Sequence, residues 1–230
     1  MTQAFVFPGQ GSQSVGMGQV LAQTYPQAKA VFDEVDAALG QNLSDLMWNG
    51  QPETLTLTEN AQPALMAVSM AVMRVLEARG VKLADAAAYV AGHSLGEYAA
   101  LTAAGALQLD DASRLLKLRG QAMQRAVPVG VGAMAALLGL EFSVVAEIAQ
   151  EAASKTQVCA AANDNANGQV VISGHAEAVA RAIELAKERG AKRAMNLPVS
   201  APFHCALMQP AADEMAAALA ETNIAAPSVP

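Results

Sequence analysis

A chain of 230 residues that is 53% hydrophobic but only 4% aromatic can bury a large core in one or two domains, packed mainly through small side chains. Its formal net charge of -7, with no basic cluster, argues against a nucleic-acid partner. The most apolar stretch, residues 64–73, is too short to span a bilayer and reads as a buried helix, so no membrane partner is expected.

Residues 4–7 are a short apolar strand, stopped by Pro8 and a glycine-rich loop, Gly9-Gln10-Gly11-Ser12-Gln13. The loop lacks the third glycine of a dinucleotide cradle, since Ser14 stands there. The acidic residues about twenty further on, Asp33 and Glu34, fall in a helical pattern rather than at a strand end. Helical periodicity covers 26–39, opened by Pro26, and 58–79, with Thr58 as N-cap and Gly80 just past the end. A strand-like run at 86–91 leads to Gly92-His93-Ser94-Leu95-Gly96, and helices follow at 97–104 and 110–126.

After Pro128-Val129-Gly130-Val131-Gly132 the texture changes. Strands are read at 133–140, 157–162, 169–173 and 193–199, with helices at 143–153 and 177–189 and a turn over 163–168. That β-α-β-β-α-β order predicts a ferredoxin-like small subdomain over 129–197, inserted in a larger α/β domain formed by 1–128 and 198–230. A last helix begins near Pro210, and residues 225–230 read as the lead-in to a further strand.

The pentapeptide at 92–96 carries the chemistry. A Gly-x-Ser-x-Gly between strand and helix is the pattern of a nucleophile elbow, which exposes a serine hydroxyl on a strained turn. Backbone N–H groups at the helix start can stabilise an oxyanion. The loop after the first strand can bring the Gln10 N–H to the same place as a second donor. Ser94 needs a base. His93 adjoins it on a tight turn, which rarely lets two side chains meet, and His175 reads as a surface residue. His204 follows a strand in the proline-stiffened loop Ser200-Ala201-Pro202-Phe203-His204, where α/β folds place catalytic groups.

Arg119 stands within an apolar stripe formed by Ala112, Leu115, Leu116, Ala122, Met123 and Ala126. An arginine on a buried face must be paired, because it does not deprotonate. Either it pairs with an internal carboxylate or snorkels to the rim, or it grips the carboxylate of a substrate bidentately. The cysteines, Cys159 and Cys205, have no metal-ligand spacing. No secretory signal precedes the first strand, which predicts a reducing, cytoplasmic setting and free thiols.

Taken together, Phe7-Pro-Gly-Gln-Gly-Ser-Gln13, Gln62-Pro63, Gly92-His-Ser-Leu-Gly-Glu97, Arg119, Gly168-Gln-Val-Val-Ile-Ser-Gly174 and Ser200-Ala-Pro-Phe-His204 resemble the malonyl-CoA:acyl carrier protein transacylases of bacterial fatty acid synthesis. The resemblance covers the whole chain. It implies an α/β-hydrolase-like large domain with a ferredoxin-like insert. It implies Ser94 as nucleophile, His204 as base and then acid, and the Gln10 and Leu95 N–H groups as oxyanion hole. Arg119 would bind the malonyl carboxylate, with His93, Gln62 and Asn163 lining the pocket. Malonyl-CoA and acyl carrier protein are then the partners, and neither metal nor redox cofactor is needed. Leu95 and Phe203 resemble the malonyl-selective members. Two other readings stay open at this stage. One is a serine thioesterase or esterase on the same elbow. The other is a silent truncated fragment, since the family continues past residue 230 and leaves His204 without an identifiable orienting partner. A basic patch of Arg181, Lys187, Arg189, Lys192 and Arg193 is a candidate dock for an acidic carrier protein.

Overall fold

The apolar run at the start of the chain forms β1 (Ala4–Phe7), which pairs in parallel with β2 (Tyr89–Gly92), Phe7 opposite Gly92. Parallel strands need a crossover. It is supplied by α1 (Gln19–Thr24), α2 (Pro26–Leu39), α3 (Leu43–Asn49), α4 (Pro52–Thr56), α5 (Thr58–Ala78) and the single turn α6 (Leu83–Ala86). The computed structural model describes residues 3–199 and 201–230. Ser200, the first residue of the histidine loop, lies outside them.

Helix α2 shows how sequence sets an element. Pro26 occupies its first turn, Gly40 closes it at a φ of 58°, and Ala28, Val31, Phe32 and Val35 form its buried face. Helix α5 is buried nearly all round at its start, from Thr58 to Ala67, and forms the centre of the first core. Thr58 does not cap it. Leu57 holds that position without a side-chain cap, and the Thr58 hydroxyl is engaged elsewhere. β2 is followed by α7 (Gly96–Ala103) and α8 (Leu109–Ala126). The strand begins at Tyr89 rather than at residue 86, because the alanine-rich stretch before it takes a helical turn.

The chain divides into two units: one formed by the chain up to Gln121 with Met215–Pro230, the other by Ala122–Glu214. The second is wider than residues 129–197, since it also takes in the end of α8 and the histidine loop. Its elements are β3 (Gly132–Leu138), α9 (Phe142–Ala152), β4 (Cys159–Ala166), β5 (Gln169–His175), α10 (Ala176–Glu188) and β6 (Arg193–Asn196). The sheet order is β4-β5-β3-β6 with every neighbour antiparallel. Each β-α-β crossing therefore spans a gap that another strand fills. Side chains alternate as the pleat demands. Ala135, Leu137, Val170 and Ile172 join α9 and α10 in one cluster. Met134 and Val171 turn the other way, towards Met123, Phe203 and Met208.

β4 departs from the sequence reading. It runs through Asn163 to Ala166, where a turn was expected, and the turn shrinks to Asn167-Gly168. Register shifts between Ala161 and Asn163, and between Asp164 and Ala166, let these polar residues keep pairing with β5. After a short 3-10 turn (Ala206–Met208), α11 (Gln209–Ala220) ends in the first unit. The final residues form no strand, though Val90 N–H donates to Pro230 O at 2.8 Å. No helix among the described residues is long and apolar enough to cross a membrane.

Candidate active site

Because β1 and β2 are parallel, the loops leaving their carboxyl ends emerge together, and both carry the expected site residues. Beyond β2 the chain turns sharply. His93 N–H donates to Phe7 O at 3.0 Å, and Gly96 N–H to His93 O at 2.9 Å. Ser94 sits on this turn with a φ of 53°, a left-handed conformation that is uncommon outside glycine and concentrates at functional sites. The motif glycines are demanded by space. A Cβ on Gly92 would lie 2.0 Å from the Gly96 carbonyl carbon, and one on Gly96 would lie 2.4 Å from Phe7 O. Leu95, which supplies the next N–H, is anchored in the core and leads directly into α7.

The first loop lies against this elbow. A Cβ on Gly9 would meet His93 Nδ1 at 2.4 Å, so Gly9 is what lets Gln10 pass so close. The loop is braced from within by Ser12 Oγ donating to Gly9 O and by Gly11 N–H donating to Gln13 Oε1.

Arg119 comes from α8. Gly120, its neighbour, packs onto the start of α5, where a Cβ would stand 2.4 Å from Glu59 Cα. That close approach puts the guanidinium beside both Gln62 and the elbow. Arg119 Nη1 donates to Gln62 Oε1 at 2.7 Å and Nη2 to Ser94 Oγ at 3.2 Å, and the guanidinium carbon lies 6.0 Å from the Tyr98 ring centroid. Burial pulls its pKa below the usual value, opposed by Tyr98 and Glu97, and burial pushes the Tyr98 phenol up. No ion pair to Arg119 forms among the described residues. Of the alternatives open in sequence, an ion pair with an internal carboxylate is not formed among the described residues, and the bonds to Gln62 and Ser94 hold the guanidinium against those side chains. A half-buried cation held by neutral acceptors, next to a strained serine hydroxyl, can receive the carboxylate of an acyl group bound at that serine.

Behind Gln62 the polar chain continues. Gln62 Nε2 donates to Thr58 Oγ1 at 2.8 Å, and Thr58 Oγ1 donates to Gln10 Oε1 at 2.9 Å. The structure thus brings together Ser94, His93, Arg119, Gln62 and Gln10 in the first unit. Thr58, Tyr98 and Gly120 were not picked out by sequence as site residues. The spacing of Thr58 and Gln62, one helical turn apart, is the signal that could have found the first.

His204 and Asn163 belong to the second unit. His204 is exposed and has a φ of 57°, so it and Ser94 are the two non-glycine residues with positive φ among those described. Its loop is pinned by buried Ala201 and Phe203, and by Pro202, whose ring fits only because residue 132 is glycine. Cys205 Sγ donates to Pro202 O at 3.2 Å. Asn163 is half-buried on β4 opposite Val171. His175 ends β5, its Nδ1 accepting from Val158 N–H at 2.8 Å, a structural task.

Three members of the expected basic patch are already committed. Arg181 donates to Ala152 O and Gln157 Oε1, Lys187 pairs with Glu184, and Arg189 pairs with Glu147 and Glu151. No group of three or more His, Cys, Asp or Glu side chains placed to hold a metal occurs among the described residues.

A strained serine between a parallel strand and a helix, with a cationic fork at its hydroxyl, is the apparatus of an acyl-transfer enzyme. The sequence matches the family model of the acyl transferase domain over residues 4–230, and the chain belongs to that family. It is 52% identical over 231 residues to the malonyl CoA-acyl carrier protein transacylase of Escherichia coli K12, covering all of this chain and 74% of that protein. Among solved structures, the acyl-carrier-protein-S-malonyltransferase of Bartonella henselae is similar with a TM-score of 0.97 and 57% identity, over 100% of this chain and 73% of that one. A malonyl-transacylase solved in complex with a type II polyketide synthase acyl-carrier protein is similar with a TM-score of 0.95 and 45% identity, over 100% and 73% of the two chains.

Proposed function

We infer that this acyltransferase moves the malonyl group of malonyl-CoA to the phosphopantetheine thiol of acyl carrier protein, as a supply step of fatty acid synthesis. The observation that carries the reading is Arg119, a cation with only neutral hydrogen-bond partners, 3.2 Å from the Ser94 hydroxyl. An acetyl group gives that cation nothing, whereas malonyl brings the missing carboxylate.

In this reading Ser94 Oγ attacks the thioester carbonyl and His204 takes its proton. The oxyanion is held by the backbone N–H groups of Gln10 and Leu95. The C–S bond breaks, His204 returns the proton to the CoA thiolate, and malonyl stays on Ser94. The carrier thiol then repeats the steps in reverse, so the exchange is ping-pong. Arg119 holds the malonyl carboxylate throughout, kept in place by Gln62, while His93 and Asn163 line the acyl pocket. Every proton and bond in the cycle is accounted for by two thiols, one serine and one imidazole, so no metal or redox cofactor has a part in it. Positive φ at both Ser94 and His204 supports their pairing in one mechanism.

The finer architecture belongs to the same reading: an α/β-hydrolase-like large domain with a ferredoxin-like insert. The parallel β1-β2 pair with its elbow supports the first part, and the order β4-β5-β3-β6 the second. A cytoplasmic setting follows from the substrates. The test is Arg119→Ala. Malonyl loading is expected to fall about a hundredfold, while acetyl loading is spared or improved. Equal loss of both would remove the carboxylate-clamp role.

A further inference from the structure

Arginine has donors and no acceptor, and this fixes the polarity of everything bonded behind Arg119. Gln62 must turn Oε1 towards the guanidinium, which points its Nε2 at Thr58. The Thr58 oxygen accepts that bond and so turns its own hydrogen to Gln10 Oε1. Within the chain Arg119–Gln62–Thr58–Gln10, Gln62 accepts and donates through two different atoms, whereas the Thr58 hydroxyl accepts and donates through one oxygen and so joins two amides that face it with opposite polarity. Thr58 and Gln62 are each 1% exposed, so solvent does not readily replace a lost partner. Thr58 also stands at the first residue of α5, where a hydroxyl ordinarily serves a helix end, yet it makes no cap.

We propose that Thr58 is a positioning residue: its hydroxyl locks the Gln62 amide in the one orientation that holds Arg119 beside Ser94, and ties the Gln10 loop to it. The consequence for acyl selectivity rests on the malonyl-transfer reading. Replacing the hydroxyl by a methyl leaves the Gln62 NH2 buried without this acceptor. Turning the amide over would aim its hydrogens at the guanidinium, so either response loosens the clamp. Serine retains the hydroxyl and should retain the function.

The experiment compares wild type, Thr58→Val and Thr58→Ser, following acylation by malonyl-CoA and by acetyl-CoA with intact mass spectrometry. The malonyl-to-acetyl ratio of kcat/KM is expected to fall about tenfold in Thr58→Val and to stay within about threefold of wild type in Thr58→Ser. In parallel, the Gln62 side-chain amide signals in 1H–15N spectra should exchange slowly with solvent in wild type and Thr58→Ser, and quickly in Thr58→Val. If Thr58→Val does not fold, Thr58→Ala carries the same comparison. An unchanged ratio in the hydroxyl-free variant, a serine variant as impaired as it, or an unchanged Gln62 amide overturns the proposal. Wild type that takes up neither acyl group would count against the malonyl-transfer reading alone, and the amide comparison would still decide the role of Thr58.

Discussion

Among the described residues, each of the two units holds one non-glycine residue in the left-handed region, Ser94 at 53° and His204 at 57°, but they do so by different means. Around Ser94 the backbone has nowhere else to go. Gly92, Gly96 and Gly9 each sit where a Cβ would collide with main chain or with His93. The neighbouring helix start buries amides and hydroxyls, Thr58, Asn60 and Gln62, in place of hydrocarbon. In the second unit the core is apolar, with Ser173 its one fully buried polar side chain among those described. There the strain is carried by a surface loop stapled down through Phe203 and Pro202. A buried polar chain is hard to satisfy and weakens a core unless every member is bonded. On the malonyl-transfer reading proposed above, its concentration at one end of α5 is where acyl selectivity is set, and the second unit carries the imidazole.

The contrast can be broken in several ways. The largest effect is expected from Ser94→Ala, which should abolish the covalent malonyl adduct and lower transfer by at least about a thousandfold. A surviving adduct would place the nucleophile elsewhere. Next come two destabilising changes of similar size and different consequence. Gly96→Ala forces a Cβ against Phe7 O and should cost roughly 3 kcal/mol of stability and displace the elbow, so activity falls with it. Ile172→Ala opens a cavity in the second core and should also cost about 3 kcal/mol. The Ile172 variant should nevertheless keep its malonyl-to-acetyl preference below its unfolding transition. A changed preference would mean that the two regions do not divide the work as described.

The smallest effect concerns Cys159. Burial, with Cys205 adding to it, pushes its thiol from an ordinary value of 9.0 up to about 11. A pKa raised on folding contributes stability that is present below the unfolded value and lost as pH rises through the folded one. Between pH 9 and 11 the fold should therefore lose stability. At pH 8 an alkylating reagent should label half-exposed Cys205 and leave Cys159 untouched until the chain unfolds. Equal labelling of both would show that the second core is open to solvent.

Local pattern made Ser94 and Arg119 legible, because a glycine-spaced turn and one charge in an apolar stripe are visible in a few residues. The boundaries of α2, with proline inside its start and glycine past its end, were legible for the same reason. What escaped depends on contacts distant in sequence. Residues 163–166 carry turn chemistry, yet pairing with β5 through two register shifts makes them strand. Arg189 reads as a free surface cation until Glu147 and Glu151 come up beside it from α9. Thr58 resembles a cap in sequence, and only the packing of α8 on α5 reveals its hydroxyl as a link between two glutamines. The short helices α1, α3, α4 and α6 lack the length for a periodic signal.

The most direct measurement is the intact mass of the chain after brief mixing with malonyl-CoA, and again after adding phosphopantetheinylated acyl carrier protein. The expected result is one malonyl group on Ser94 that then appears on the carrier. A chain that takes up no malonyl, or that releases free malonate while the carrier stays unloaded, would contradict malonyl transfer through Ser94.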